Sequence, residues 1–307
     1  MTLRLGTRGS ALAVTQSQQA ADAITRVTGL DVELVRITTL GDVHTGSLAS
    51  MPQPGVFVSA LREALLRGEV DVIVHSMKDL PSEQPADLVI AAVPRRVDPR
   101  DVLIARNGLH LDDLPPGSRV GTGSPRRRAR VRALRPDLAV VDLRGNVDTR
   151  IRKVHDGELD AVVLAAAGLE RLGRLAEVSE YFAIDRMLPA PAQGALAIEV
   201  AADSDLVGDL AGLDDFAARM ATIAEREVLT SVAASCATAI AAHATVVGGR
   251  LRLLAEVFGS QPGEFASFDG ECAFEMGFPP AESAIALGHQ AGQALLDAGA
   301  RDYVNPR

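Results

Sequence analysis

Three groups of side chains in this sequence are equipped for chemistry. Ser76, Lys78 and Asp79 follow an apolar, β-branched run at 70–74, the kind that fills a strand buried on both faces. Pro81 cannot continue a ladder and restricts Leu80, so the chain turns there with a hydroxyl, a base and an acid at a strand's carboxyl end. In open α/β sheets that edge is where ligands bind. The second group is arginine. Ten arginines lie between Arg119 and Arg152, against three acidic residues. Arg126 and Arg127 fall in the first turn of an expected helix, where the macrodipole disfavours cations. Acidic partners at four-residue spacing, which a solvated basic helix would carry, are absent there. A local rule broken in this way points to an anion. The third group is two cysteines, Cys236 and Cys272, of which Cys272 alternates with Phe274 and Met276 as a core residue would.

Composition narrows what those groups can serve. The net charge is −9, which argues against a general nucleic-acid binder, so a local cationic site implies a small anionic ligand. Hydrophobic residues make up 47% of the chain, yet no apolar run approaches the roughly 18 residues of a membrane span. No charged-then-apolar leader precedes Leu3, and a cytoplasmic location is expected. Two cysteines are too few for a disulfide framework and lack metal-site spacing. With 307 residues there is room for two or three domains.

The elements that must position these groups alternate. Residues 3–6 read as a strand, 6–10 as a loop, and 11–27 as a helix capped by Ser10, which puts Arg8 in a strand-to-helix loop. A strand at 31–37 is followed by 40–55, with three glycines, two prolines and no apolar period, an expected loop. Residues 57–66 form an amphipathic helix leading to the strand at 70–74. Strands at 88–93 and 101–105 flank a proline-bounded crossing, 94–99. A second α/β series follows. Strand 119–121 enters a glycine turn, then a helix capped by Ser124 with Pro125 first. Strand 138–143 ends in Arg144-Gly145-Asn146, helix 147–155 carries Arg150, and strand 160–164 leads to Arg171. A second proline-rich crossing, 188–195, precedes strand 196–200, which is expected to return to the first domain. Helix 214–231, a hairpin around Gly248-Gly249 and helix 281–296 complete an α+β domain with an antiparallel sheet. The expected division is 1–94 with 195–213, then 95–194, then 214–307.

The stretches Gly6-Thr7-Arg8-Gly9-Ser10, Val74-His75-Ser76-Met77-Lys78-Asp79-Leu80-Pro81, Asp98-Pro99-Arg100-Asp101 and Gly121-Thr122-Gly123-Ser124-Pro125-Arg126-Arg127 belong to one ordered set. Leu143-Arg144-Gly145-Asn146-Val147-Asp148-Thr149-Arg150, Ala167-Gly168-Leu169-Glu170-Arg171-Leu172-Gly173 and Gln193-Gly194-Ala195 continue it. Over nearly the whole chain the set resembles the porphobilinogen deaminases, also called hydroxymethylbilane synthases. The resemblance implies two α/β domains like those of periplasmic solute-binding proteins, with a cleft and hinge crossings, plus a C-terminal α+β domain bearing a cysteine. It implies a transferase of tetrapyrrole (haem) biosynthesis that works as a monomer. A cysteine-bound dipyrromethane acts as primer, four porphobilinogen molecules are joined to it head to tail with loss of ammonia, and water releases the linear hydroxymethylbilane.

Carried over residue by residue, Asp79 is the catalytic group and Cys236 the covalent attachment point. Ser76, Lys78, Asp79, Ser124, Arg126, Arg127, Arg144 and Gly145 hold the cofactor. Arg8, Ser10, Arg150, Arg171 and Gln193 hold substrate, and 40–55 is a flap. No metal, nucleotide, nucleic-acid partner or membrane is implied. Each pyrrole carries an acetate and a propionate, for which bidentate guanidinium pairs are better suited than lysine. The Asp79 carboxylate would face pyrrole N–H groups and stabilise the positive charge that develops as ammonia leaves. Three places depart from the family pattern. Ala234-Ser235 precede Cys236 where two glycines are usual, and the usual Pro-x-Gly after it is missing; Gln53-Pro54-Gly55 replaces Gly-Lys-Gly; Ala192 replaces a glycine. Such loops lose conformations that only glycine reaches easily. Two other readings stay open: an anion-binding two-domain protein without chemistry, and a catalytically impaired relative. Only the transferase explains Asp79 together with Cys236.

Overall fold

The computed structural model describes residues 2–38, 56–235, 238–261, 263–274 and 279–304. The expected flap and Cys236 lie outside these. The chain packs as two compact units, residues 1–97 with 195–219, and 98–194 with 220–307.

The first unit is built on β1 (Thr2–Thr7), β2 (Asp31–Arg36), β3 (Val72–Ser76), β4 (Leu88–Ala92) and β10 (Leu196–Ala201), in the order β2-β1-β3-β10-β4. β1 runs parallel to β2 and β3, and β10 lies antiparallel to β3 and β4. The β-branched run of β3 is buried on both faces, as its composition requires. Val72 and Val74 pack with Ala20, Ala21 and Ile24 of α1 (Ala11–Thr28), and Ile73 packs with Leu61, Ala64 and Leu65 of α2 (Val56–Leu66). Each such side chain contributes about 1.5–3 kcal/mol of burial.

The second unit repeats that plan. β5 (Asp101–Ala105), β6 (Arg119–Gly121), β7 (Ala139–Val141), β8 (Ala161–Ala165) and β9 (Glu180–Tyr181) take the order β7-β6-β8-β5-β9. Here β6 runs parallel to β7 and β8, and β5 is antiparallel to β8. The helices between them are α3 (Pro125–Leu134), α4 (Val147–His155) and α5 (Ala166–Arg171). In both sheets the fourth strand in the order is the antiparallel one, and in both it follows a proline-rich crossing: 94–99 delivers β5 and 188–195 delivers β10. Strand 138–143 proves shorter than its apolar content suggests, with only Ala139–Val141 paired.

The unit also holds an antiparallel sheet, β11 (Ile240–Val247), β12 (Arg250–Phe258) and β13 (Phe265–Ala273). Gly248 and Gly249 join β11 to β12 with φ of 57° and 74°, the two positive values that a tight twisted hairpin demands. Leu251, Leu253 and Val257 pack with Ala224 and Val228 of α6 (Phe216–Ser231) and with Leu287, Ala291 and Leu295 of α7 (Pro280–Leu295). A Cβ at Gly292 would stand 2.3 Å from the Ser231 Cβ, so that glycine lets the two helices touch.

Candidate active site

Parallel pairing places the carboxyl ends of β1 and β3, Thr7 and Ser76, on one edge of the first sheet. Arg8 and Ser10 lie in the loop from β1 to α1, and the Ser10 hydroxyl accepts from the Ala13 N–H at 3.3 Å, the expected cap. Gln16 Nε2 donates to Ser76 Oγ at 3.0 Å, tying α1 to the end of β3. Beyond Ser76 the chain makes a short helical turn, Met77–Asp79, in which the Met77 N–H donates to the Ala195 carbonyl at 3.0 Å. Met77 is buried beneath it, and Lys78 and Asp79 are exposed on it. Arg8, Ser10, Ser76, Lys78 and Asp79 thus share one edge of one unit.

Ser124, Arg126, Arg127, Arg144, Gly145, Arg150, Arg171 and Gln193 lie in the other unit, where the loops and helices that follow β6, β7 and β8 supply all but the last. Ser124 accepts from the Arg127 N–H at 3.4 Å and starts α3 with Pro125 in its first turn. A Cβ on Gly123 would sit 2.7 Å from the Leu143 carbonyl oxygen, so the turn closes only around glycine.

The acidic partner missing from the sequence around Arg126 and Arg127 is Asp101, the first residue of β5. Helical spacing cannot find it, because strand order brings it in. Arg126 Nη1 lies 2.7 Å from Asp101 Oδ2 and donates to the Leu188 carbonyl at 2.7 Å. Arg127 donates to Asp101 Oδ1 from Nε at 3.0 Å and from Nη2 at 2.7 Å, and to the Val163 carbonyl at 3.1 Å. Gln193 Nε2 donates to the same Oδ1 at 2.9 Å and to the Pro99 carbonyl at 2.7 Å. All three side chains on Asp101 are buried, as it is. Burial alone would push the Asp101 carboxyl up, but the two guanidiniums override it and hold it far below the usual range. Burial lowers Arg126 in spite of Asp101.

Two guanidiniums over one carboxylate leave a positive charge, and three more arginines add to it. Arg150 donates from Nε to the Gly145 carbonyl at 2.8 Å; burial, then Arg127 and Arg144, bring its guanidinium down to about 10. Arg171 donates to the Gly194 carbonyl at 2.8 Å and is likewise brought to about 10 by burial. Arg144 shares Asp142 with Arg128, at 3.5 and 3.0 Å. The Nε atoms of Arg144 and Arg171 are buried and have no hydrogen-bond partner among the described residues. Cations held together at such a cost are relieved by an anion, so a ligand rich in carboxylates fits this edge. Of the two cysteines, Cys272 is half-buried on β13 with Sγ 3.7 Å from the Ser283 carbonyl, and burial pushes its thiol up, which makes it a poor nucleophile.

Sequence reasoning missed Asp101 as a site residue and missed two other buried carboxylates, Glu199 and Glu225. Asp101 and Glu199 had a signal, an acid opening or standing inside an apolar stretch that the pattern requires to be buried; Glu225, in the charged run 225–227, had none.

Such a guanidinium-lined edge on the second of two like α/β sheets is suited to a small polycarboxylate. Residues 3–209 match the family model for the porphobilinogen deaminase dipyromethane cofactor binding domain. "Porphobilinogen deaminase 1" of Streptomyces coelicolor is 49% identical over 322 residues, covering 99% of this chain and 98% of that one. "Porphobilinogen deaminase" of Thermobifida fusca is 49% identical over 306 residues, covering 98% and 95%. Among solved structures, the methionine binding protein MetQ is 15% identical at a TM-score of 0.45, over 69% of this chain and 89% of that one. The chain belongs to the porphobilinogen deaminase family. No helix among the described residues is long and apolar enough to cross a membrane.

Proposed function

We propose that the protein is a hydroxymethylbilane synthase, a transferase of tetrapyrrole biosynthesis that joins four porphobilinogen molecules head to tail on a covalent dipyrromethane. The observation that carries this reading is the surplus of guanidinium charge at buried Arg126 and Arg127 and half-buried Arg144, Arg150 and Arg171 over the buried carboxylate of Asp101 that two of them share. Every pyrrole of the substrate and product bears an acetate and a propionate, and bidentate pairing to such groups is what arginine does well.

Bound through Cys236, the dipyrromethane supplies the acceptor carbon on which the chain grows. Ser76, Lys78, Ser124, Arg126, Arg127, Arg144 and Gly145 hold it, while Arg8, Ser10, Arg150, Arg171 and Gln193 orient incoming porphobilinogen. The C–N bond of the aminomethyl group breaks, ammonia leaves, and the pyrrole is left positively charged. The Asp79 carboxylate, exposed on its turn, accepts from the pyrrole N–H and stabilises that charge. A C–C bond then forms to the neighbouring pyrrole's free α-carbon, which loses its proton. Residues 1–94 with 195–213 act as the catalytic domain, 95–194 as the anion-binding domain and 214–307 as the bearer of the cysteine. The protein works in the cytoplasm as a monomer without nucleic acid. An acidic balance of −9 and only two cysteines support that setting.

The test is conversion of porphobilinogen to a linear tetrapyrrole that cyclises to uroporphyrinogen, with release of one ammonia per porphobilinogen. Tight binding of porphobilinogen with no ammonia released would leave an anion-binding protein.

A further inference from the structure

Glu199 is a lone acid inside the apolar strand β10, and its side chain is fully buried. Three elements send groups to it. Arg62 on α2 donates from Nε to Oε2 at 3.0 Å and from Nη2 to Oε1 at 2.8 Å. His75 on β3 has Nε2 3.2 Å from Oε2. Gln84 donates from Nε2 to Oε1, and its own Oε1 accepts from Arg62 Nη2 at 3.1 Å. Burial would raise this carboxyl, yet His75 and Arg62 hold it down at about 2.

The placement of the donors matters more than their number. His75 and Gln84 are the two ends of one segment, 75–84, and Asp79 stands in its middle. Within the segment Ser76 pairs with Leu196 of β10, the Met77 N–H reaches the Ala195 carbonyl at 3.0 Å, and the Leu80 N–H reaches the Met77 carbonyl at 3.2 Å. One carboxylate therefore closes the base of the turn that presents Asp79, and through Arg62 joins it to α2. A buried ion pair is a weak source of stability, because apolar residues of similar volume often do as well, so its presence calls for another role.

We infer that Glu199 is a positioning residue for the reaction, fixing Asp79 by holding both ends of the segment 75–84. This rests on the reading of Asp79 as the catalytic carboxylate. Losing either tie lets the turn shift, and displacements near 1 Å cost up to about 100-fold in rate.

The test uses E199Q and Q84A, each alone and combined with D79N, at equal concentrations of folded protein carrying its covalent adduct by intact mass. E199Q is expected to lower kcat by about 10-fold or more and Q84A by about 3-fold, with KM within about twofold of wild type. On the D79N background neither lowers the residual rate by more than about twofold, because they act through a charge already removed. Equal losses on both backgrounds would make Glu199 a general structural residue and overturn the inference, as would undiminished kcat in E199Q and Q84A. Q84A alters the exposed end of the segment, so it decides the matter in the same way if E199Q does not fold. Wild-type turnover in D79N itself overturns the catalytic reading of Asp79 and this inference with it; failure of the inference alone leaves D79N inactive.

Discussion

Arg126 and Arg150 are both arginines at the edge of one sheet, and their removal has different consequences. Arg126 shares Asp101 with Arg127, so Arg126→Leu leaves a fully buried carboxylate with half its charge partners. A loss of about 3–5 kcal/mol in stability is expected, alongside any loss of binding. Arg150 meets burial and like charge instead, so Arg150→Leu is expected to leave stability unchanged or raised while KM for porphobilinogen rises at least tenfold. Urea unfolding measured beside KM separates the two; equal destabilisation by both would assign Arg150 to the framework. Asp79→Asn keeps shape and an acceptor oxygen but not the charge. It is expected to fold, to carry its adduct, and to lose about 10²-fold or more in turnover. Near wild-type turnover at equal folded protein would mean Asp79 is only a turn residue, since Asn suits turns as well. Glu199 sets an acid limit. Its folded value, about 2, lies below the usual 4.5, so its stabilisation is fully present above 4.5 and is lost as the pH falls through about 2. The deficit of Glu199→Gln against wild type, measured by urea unfolding, should therefore shrink as the pH falls from about 5 to about 2. A constant deficit would show that Glu199 is not the titrating group.

At the scale of elements, the crossing 188–195 is tied by bonds from several of them. Arg126 takes the Leu188 carbonyl, the Ala242 N–H donates to the Pro189 carbonyl at 3.1 Å, Glu225 accepts the Ala192 N–H, and Gln193 reaches Asp101. Ala192 is buried here with φ 60°, in the left-handed region, where the family usually has glycine. Ala192→Gly is expected to be neutral or stabilising, whereas Ala197→Gly, equally buried in β10, should cost about 1 kcal/mol or more. Thermal unfolding of the pair checks this, and similar losses in both would mean that no strain resides at Ala192. The strands, the caps at Ser10 and Ser124 and the hairpin at Gly248-Gly249 were legible because each depends on neighbours within a few residues. Asp101 under Arg127 and Glu199 over His75 were not, because those pairs are separated by 26 and 124 positions and exist only once strand order is set. β7 is shorter than its apolar content suggests for the same reason, since pairing with β6 covers only Ala139–Val141.

For the whole molecule, the decisive measurement is intact mass. The purified protein is expected to carry two linked pyrrole units on Cys236 and none on Cys272; adduct on Cys272, or none after exposure to porphobilinogen, would remove the covalent primer from the account. The two crossings have a further consequence, for the order in which the chain acquires structure. Every strand of the second α/β sheet lies between residues 101 and 181, a single uninterrupted length. The first sheet has β10 between β3 and β4, and β10 begins only at residue 196. As the chain leaves the ribosome, β3 and β4 must wait, edges bare, until the later sheet has already been synthesised. Distant pairings of this kind form late. In pulse-labelled refolding the amides of β6 and β8 should gain protection before those of β4, and a chain truncated after Gly194 should protect the former alone. Of the two α/β sheets, the one that begins to emerge first is completed second, and the Asp79 turn, hung on β3 and β10, waits with it.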